Sequence, residues 1–334
     1  MSEHNEIDEL LIDHKLLKKA KRKTWIRNII ISTVSFFVLY IATIYTNAQL
    51  LNKIASKTVS EEELLFEVAR PNTYFTHSQF NDGFLRGELE YSTYKLLGQK
   101  PVFSGTYKKV YSILPISHGI SGTSDSQLLK IRDEPGTETW QYFNKIGQKA
   151  MMFYHPLLTY REIAADLTTL EQYRDDALFE VTLSFDQGYH FNEINRLMPN
   201  KVIPSWYWVD TFGENATEQY IPIYNDKDEK TGEFAPFVIN PNHIIGFSSI
   251  DRHGDKILSP QEGFLIRIQI GLNQKGRYLS TYETAYNTLK DENGNMTPDN
   301  ISIIGVVVTG DKKAMETLLD LPFVRASSFG VILD

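Results

Sequence analysis

Ile29–Tyr45 reads IIISTVSFFVLYIATIY, and the uncharged stretch around it runs from Asn28 to Asn52. As a helix rising about 1.5 Å per residue, the apolar centre covers roughly 26 Å and the whole uncharged run about 37 Å. A hydrocarbon core is about 30 Å thick, so one helix from this stretch crosses it. A helix is also the one open-ended form that satisfies its own backbone there. The alternative is a buried core helix, but no other segment of the chain is as long and as free of charge.

The span divides the chain into a short tail and a large body. Lys15, Lys18, Lys19, Lys21, Arg22, Lys23 and Arg27 precede it, whereas Lys53 and Lys57 are followed at once by Glu61, Glu62 and Glu63. This excess of Lys and Arg predicts a cytoplasmic N-terminus and an extracytoplasmic body. Trp25, Tyr40 and Tyr45 suit the two interfaces. Thr46-Asn47-Ala48 resembles the small-residue site of a cleaved signal peptide. The apolar run exceeds the usual h-region of about 7–15 residues and lies late in the chain, which favours an uncleaved anchor.

Before the basic cluster, Ile7, Leu10, Leu11 and Leu17 recur at helical spacing, with His14 on the same stripe. Glu6, Asp8 and Glu9 fall where the helix dipole favours acids. The stripe suits equally an arm lying on the inner leaflet and a short helix that docks on a cytoplasmic partner. Ser32, Thr33, Ser35 and Thr43 within the span suit packing against another membrane helix or tolerated contact with lipid.

Of 334 residues, 42% are hydrophobic and 23% charged, the balance of a folded chain rather than a disordered one. Residues 1–27 carry seven Lys and Arg against five Asp and Glu, so the rest carries 27 against 37. An acidic body argues against direct binding of nucleic acid. The absence of cysteine excludes disulfides, thiol nucleophiles and thiolate metal sites.

Beyond the span, residues 52–68 read as a helical, acidic stalk, broken at Arg70-Pro71-Asn72 because proline disfavours helix in the residue before it. Residues 72–115 are aromatic and strand-like, with turn signals at Asn81-Asp82-Gly83 and Gly98. Residues 117–139 have loop composition. Leu158, Ile163, Leu167 and Leu170 predict a helix. Phe179–Phe185 and Val202–Val209 predict strands around a short helix at Phe191–Met198. Residues 213–260 carry mostly turn signals and are assigned no element. Phe264–Ile270 suggests a strand and Tyr278–Leu289 a helix. Ile301–Thr309, Asp311–Leu319 and Val324–Leu333 read as strand, helix and strand, with Gly310-Asp311 as the helix start. The expected class is α+β: a transmembrane helix, a mostly β unit, then an α+β unit with two strand–helix–strand repeats, ferredoxin-like in plan. The expected division is tail 1–24, span 25–51, stalk 52–70 and extracytoplasmic units 71–153 and 154–334.

Catalytic and metal-binding signals are weak. None of the eight histidines pairs with another at ligand spacing. His118-Gly119-Ile120-Ser121-Gly122 lacks the G-x-S-x-G spacing of a nucleophile elbow. Asp291, Asn293 and Asn295 space oxygens like the start of a calcium loop, but the glycine is displaced and Ser302 stands at the closing position, which favours a turn. Asp226, Asp228 and Glu229 read as a solvated loop face. The sequons at Asn215 and Asn295 matter only in a glycosylating pathway. Trp206-Tyr207-Trp208 suits core packing more than a ligand groove. No cofactor or metal is expected.

The basic-flanked span, Arg70-Pro71-Asn72, Gly83-Phe84-Leu85 and Leu89–Tyr94 together resemble the N-terminal domain of the sigma-factor regulator family of Firmicutes. Glu180-Val181-Thr182-Leu183-Ser184-Phe185-Asp186 with Tyr189, and Gly305-Val306-Val307-Val308-Thr309-Gly310 with the helix and strand after it, resemble that family's C-terminal domain. The resemblance implies a non-enzymatic, membrane-anchored anti-sigma factor. Its expected partner is an extracytoplasmic-function sigma factor, released on envelope stress. The face at Ile7, Leu10, Leu11 and Leu17 would contact that sigma factor or a small partner membrane protein. The second reading is an anchored cell-wall enzyme or wall-binding protein, for which the sequence offers no nucleophile, metal set or acid pair at a recognisable spacing.

Overall fold

The computed structural model describes residues 3–114, 128–132, 140–160, 162–212, 220–224, 230–236 and 239–334, with side chains described from residue 16 onward except at 130, 132, 140, 220–224 and 230–236. The chain opens with α1 (Glu3–Ala69), one helix of 67 residues. At about 1.5 Å per residue it is on the order of 100 Å long. Residues 3–69 contain neither glycine nor proline, so nothing local interrupts it. It stops one residue before Arg70-Pro71, where the sequence predicts the break.

An antiparallel meander follows: β1 (Tyr74–Asp82), β2 (Arg86–Leu97) and β3 (Lys100–Ser112). β4 (Leu129–Arg132) and β5 (Trp140–Phe143) form a small hairpin. The C-terminal sheet is built from β6 (Leu178–Tyr189), then, after α2 (Phe191–Leu197), β7 (Ile203–Val209). β8 (Tyr220–Tyr224) and β9 (Lys230–Pro236) pair as a hairpin, and β10 (Ile245–Ser248) returns to the sheet. Helices α3 (Pro260–Gln274) and α4 (Leu279–Leu289) come next. The chain closes with β11 (Ile303–Asp311), α5 (Lys312–Glu316) and β12 (Val324–Leu333).

The large sheet has the order β10-β7-β11-β6-β12, antiparallel throughout. Numbered within the two strand–helix–strand repeats, its four main strands run 4-1-3-2, with β10 added at one edge. The class is α+β, and both repeats fall where the hydrophobic pattern puts them. Asp311 caps α5 by accepting from the Ala314 amide at 2.8 Å, as the Gly310-Asp311 start predicts.

Both faces of the sheet are covered. On one, Val181, Leu183, Phe185, Tyr207, Val306 and Val308 pack beneath α2, α3, α4, α5 and the last turns of α1. On the other, Trp206, Trp208, Ile304 and Val307 pack against Met151, Phe153, Ile239 and Ile244. Strand alternation therefore sends Trp206 and Trp208 to one side and Tyr207 to the other. The aromatic triplet is core, not a groove.

Three expectations need correction. The segment Phe264–Ile270 is helical, not extended. Pro260 sits at the helix start, and Phe264, Leu265, Ile268 and Gly271 are buried at helical spacing. The run of isoleucines mimics a strand because a short apolar stretch fits either period. The helix expected from Leu158 to Leu170 shrinks to a 3₁₀ segment, Asp166–Gln172. Upstream of it, Arg325 donates to the carbonyls of His155, Pro156 and Leu158 at 2.7–3.0 Å and holds that stretch irregular. Residues 52–68 are helical as expected but do not stand clear of the body as a stalk: Ala55, Leu64, Leu65, Phe66 and Val68 are core residues. Residues 213–260, assigned no element from sequence, supply β8, β9 and β10.

Candidate functional site

The arrangement with functional potential is α1 itself and the groups that lock its C-terminal end. At its N-terminal end, the helical backbone places Ile7, Leu10, Leu11, His14 and Leu17 within about 120° of one face. Leu17 is 58% exposed; the side chains of Ile7, Leu10 and Leu11 fall outside the described ones. Ile29 to Tyr45 then present exposed apolar side chains on all faces. Among the described residues this is the one helix long and apolar enough to cross a membrane. Within it the Thr43 hydroxyl bonds back to the Leu39 carbonyl at 2.8 Å and leaves no unmet polar demand.

At Asn47 the helix meets the body. Its side chain donates to the Gly83 carbonyl at 3.3 Å and accepts from the Leu85 amide at 2.8 Å, gripping the β1–β2 turn. Leu85 adopts a left-handed conformation in that turn, with φ of 63°. From there β2 runs alongside the helix. From Leu85 to Leu96 a strand advances about 36 Å, and from Asn47 to Ala69 a helix advances about 33 Å, so the two stay in step. Leu51, Ala55 and Phe66 pack on Leu89, Tyr91 and Tyr111 between them.

Two buried carboxylates close the contact. Glu62, on α1, accepts from the Tyr91 hydroxyl at 2.7 Å and from the Tyr278 hydroxyl. Lys109 and Arg277 lie 3.8 and 3.7 Å from the same carboxylate. It thus joins α1 to the meander and to the start of α4. Burial first, and the Glu62 charge next, hold both tyrosines far above the ordinary phenol pKa. They therefore stay protonated and donate.

Glu180, on β6, is the second. Lys95 donates to both of its oxygens at 2.8 Å, Asn72 donates at 2.9 Å and the Val331 amide at 3.1 Å. A Cβ at position 330 would stand 2.3 Å from Oε2, so Gly330 leaves the room this carboxylate occupies. Asn72, left-handed at φ of 47°, also donates to the Leu96 carbonyl at 3.0 Å. Desolvating a carboxylate costs several kcal/mol unless such partners are in place. The cluster therefore fixes how the turn after α1 sits on the large sheet.

Two clefts flank the last turns of α1. One, about 600 Å³, is lined by Glu63, Glu67, Tyr74, Asp251, Arg252 and Arg267 among others. The other, about 470 Å³, is lined by Arg70, His243, Tyr278, Thr281 and Thr284 among others. Burial, and secondarily the Arg70 charge, hold His243 below its ordinary pKa.

No three His, Asp or Glu side chains among the described residues are grouped to hold a metal. His155 is buried, with Nδ1 accepting from the Leu157 amide and Nε2 at 3.3 Å from Asp210, the contacts of a packed histidine. Asp291 accepts from the amides of Asn293 and Asn295 at 2.9 and 2.7 Å, so this stretch is a turn around its own carboxylate. The His118–Gly122 stretch, the 226–229 acids and the Asn215 sequon lie outside the described residues.

Sequence reasoning passed over Glu62, Asn72 and Glu180 as site residues. A signal was present: Leu51, Ala55, Thr58, Glu62, Leu65 and Ala69, all buried, follow alternating steps of four and three. Glu180 likewise stands at an inward position of a strand whose other residues from Leu178 to Phe185 are apolar or hydroxyl-bearing.

Two family models match the chain: sigma factor regulator N-terminal over residues 14–102, and sigma factor regulator C-terminal over residues 170–331. Comparison with curated proteins and with solved structures finds no match. Glu62, Asn72 and Lys95 lie in the first matched region and Glu180 in the second, so the carboxylate clusters tie the two regions together.

Proposed function

Because the chain belongs to the sigma factor regulator family and is an anti-sigma factor, we propose that it holds an extracytoplasmic-function sigma factor at the inner membrane face until the envelope is stressed. Its action is binding and release, with no catalytic step. The tail lies in the cytoplasm, as the seven basic residues before the span favour, and the body lies outside. The sigma factor docks on the face at Ile7, Leu10, Leu11 and Leu17. A small membrane protein packing on Ser32 and Ser35 is a second candidate partner.

The observation that carries this reading is the continuity of α1. One unbroken helix starts in the tail, passes through the span and ends packed against the meander and the large sheet's helical layer. A rearrangement outside that shifts or tilts its last turns is delivered to its first turns without a hinge. The clefts beside Glu63, Glu67 and Arg70 offer a place where an envelope ligand would bear directly on those turns.

The test is co-purification from membranes of cells carrying the full chain or a Leu10→Asp/Leu11→Asp variant. The full chain is expected to bring down a sigma factor and the variant to lose it. Recovery of none with either chain would sink the proposal. Protease added to intact protoplasts is expected to digest the body; a protected body reverses the orientation.

A further inference from the structure

We infer that the β1–β2 turn is a second membrane contact, with Phe84 and the nearby Leu114 seated in the lipid interface beside the outer end of the span. This rests on the reading of residues 28–47 as membrane-spanning. Counting outward from Arg27, the last charge before the run, about 20 helical residues fill a hydrocarbon core of about 30 Å. The far boundary then falls close to Asn47. That residue is the one whose side chain grips the turn at Gly83 and Leu85. The turn is therefore held at the depth where hydrocarbon gives way to headgroups.

What the turn presents there fits that depth. Phe84 is 65% exposed and Leu114 56% exposed. The two are drawn together because the Leu85 carbonyl accepts from the Ile113 amide at 2.9 Å and from the Ser112 hydroxyl at 2.9 Å. Arg86, also exposed, follows directly and supplies a cation at headgroup level. A lone exposed phenylalanine is ordinary on a soluble surface. Here it sits on a turn clamped to the end of an apolar span, with a second apolar side chain beside it. Lipid is the occupant already present at that place. With this contact the body is held by two points and cannot swing about the helix, so the bilayer surface itself loads the meander that packs on α1.

The chain has no cysteine, so single labels are unique. Phe84→Cys, Leu114→Cys, Gln99→Cys and Phe36→Cys variants of the full chain are spin-labelled in phosphatidylethanolamine–phosphatidylglycerol vesicles. Their access to oxygen and to a polar nickel chelate is compared. Position 99 lies at the opposite end of β2, about 36 Å away along the strand, and serves as the water reference. Position 36 lies mid-span and serves as the lipid reference. The expected result is a shift of position 84 from the water-like ratio of 99 towards the lipid-like ratio of 36. Position 114 serves in its place if the Phe84 variant does not fold. A water-like signal at that position, in protein whose position 36 reads as lipid, overturns the proposal and leaves the span intact. A water-like signal at 36 overturns the span, and this proposal with it.

Discussion

Lys95 donates to both carboxylate oxygens of Glu180 at 2.8 Å, and Glu180 is fully shielded from solvent. Lys95 belongs to the meander that lies along α1, and Glu180 to a central strand of the large sheet. The ion pair is thus the buried fastening between the part of the molecule that carries the membrane helix and the part that follows it. Lys95→Met strands the carboxylate and is expected to cost about 3–5 kcal/mol. The double variant Lys95→Met/Glu180→Met, which removes both charges, is expected to recover most of that. Urea unfolding of the four-member cycle measures it. A single variant within about 1 kcal/mol of the parent would show that Asn72 and the Val331 amide suffice alone.

Glu62 is fastened differently, by two phenols that donate to it, with Lys109 and Arg277 farther off at 3.8 and 3.7 Å. Glu62→Ala removes the acceptor of the Tyr91 and Tyr278 hydroxyls, leaves the buried Tyr91 hydroxyl without it, and is expected to cost roughly 2–4 kcal/mol. Glu62→Gln keeps an acceptor and is expected to cost less. If the seat of α1 sets the regulator's state, a sigma-dependent reporter will rise in Glu62→Ala and return towards the parent level in Glu62→Gln. An unchanged reporter with lowered stability would confine Glu62 to a structural part.

The body carries phenols that burial drives upward. Tyr154 is pushed up to about 12, and Tyr74, Tyr91, Tyr207, Tyr278 and Tyr282 higher still, with burial the leading cause in each. A folded pKa raised above the unfolded one means that the native state holds its proton more tightly. That stability is complete below pH ~10, the unfolded phenol value, and declines as pH rises beyond it. Each such tyrosine contributes about 1.4 kcal/mol of loss per pH unit until its folded pKa is reached. Alkaline titration is expected to release tyrosinate absorbance together with cooperative unfolding. Smooth titration of these buried phenols in still-folded protein near pH ~10 would contradict it.

Two glycines of α3 are expected to respond with opposite signs. A Cβ at position 271 would lie 2.4 Å from the Tyr282 ring, at the crossing of α3 with α4. Gly271→Ala should therefore cost about 1–3 kcal/mol. At position 263 the nearest obstacle is the far end of the Arg267 side chain, which can move aside. Gly263→Ala should gain up to about 1 kcal/mol from helix propensity. Thermal unfolding of the two variants compares them directly.

Much of this molecule is written locally. Twenty-five uncharged residues between basic and acidic flanks determine a membrane-length helix, because hydrocarbon tolerates no unpaired backbone and no stray charge. Pro71 ends that helix, and alternation in residues 178–209 and 303–333 marks the strands of the large sheet. Only the tertiary structure decided which charges are buried. Glu62 and Glu63 are neighbours of identical composition, yet one is sealed between Tyr91 and Tyr278 and the other lines an open cleft. The same holds for the isoleucines of α3 and for the pairing of β2 with the helix from Asn47 to Ala69. A residue's period along the chain is local information, whereas its partner across a packed interface depends on chain that lies, for Glu62, 29 and 216 positions away.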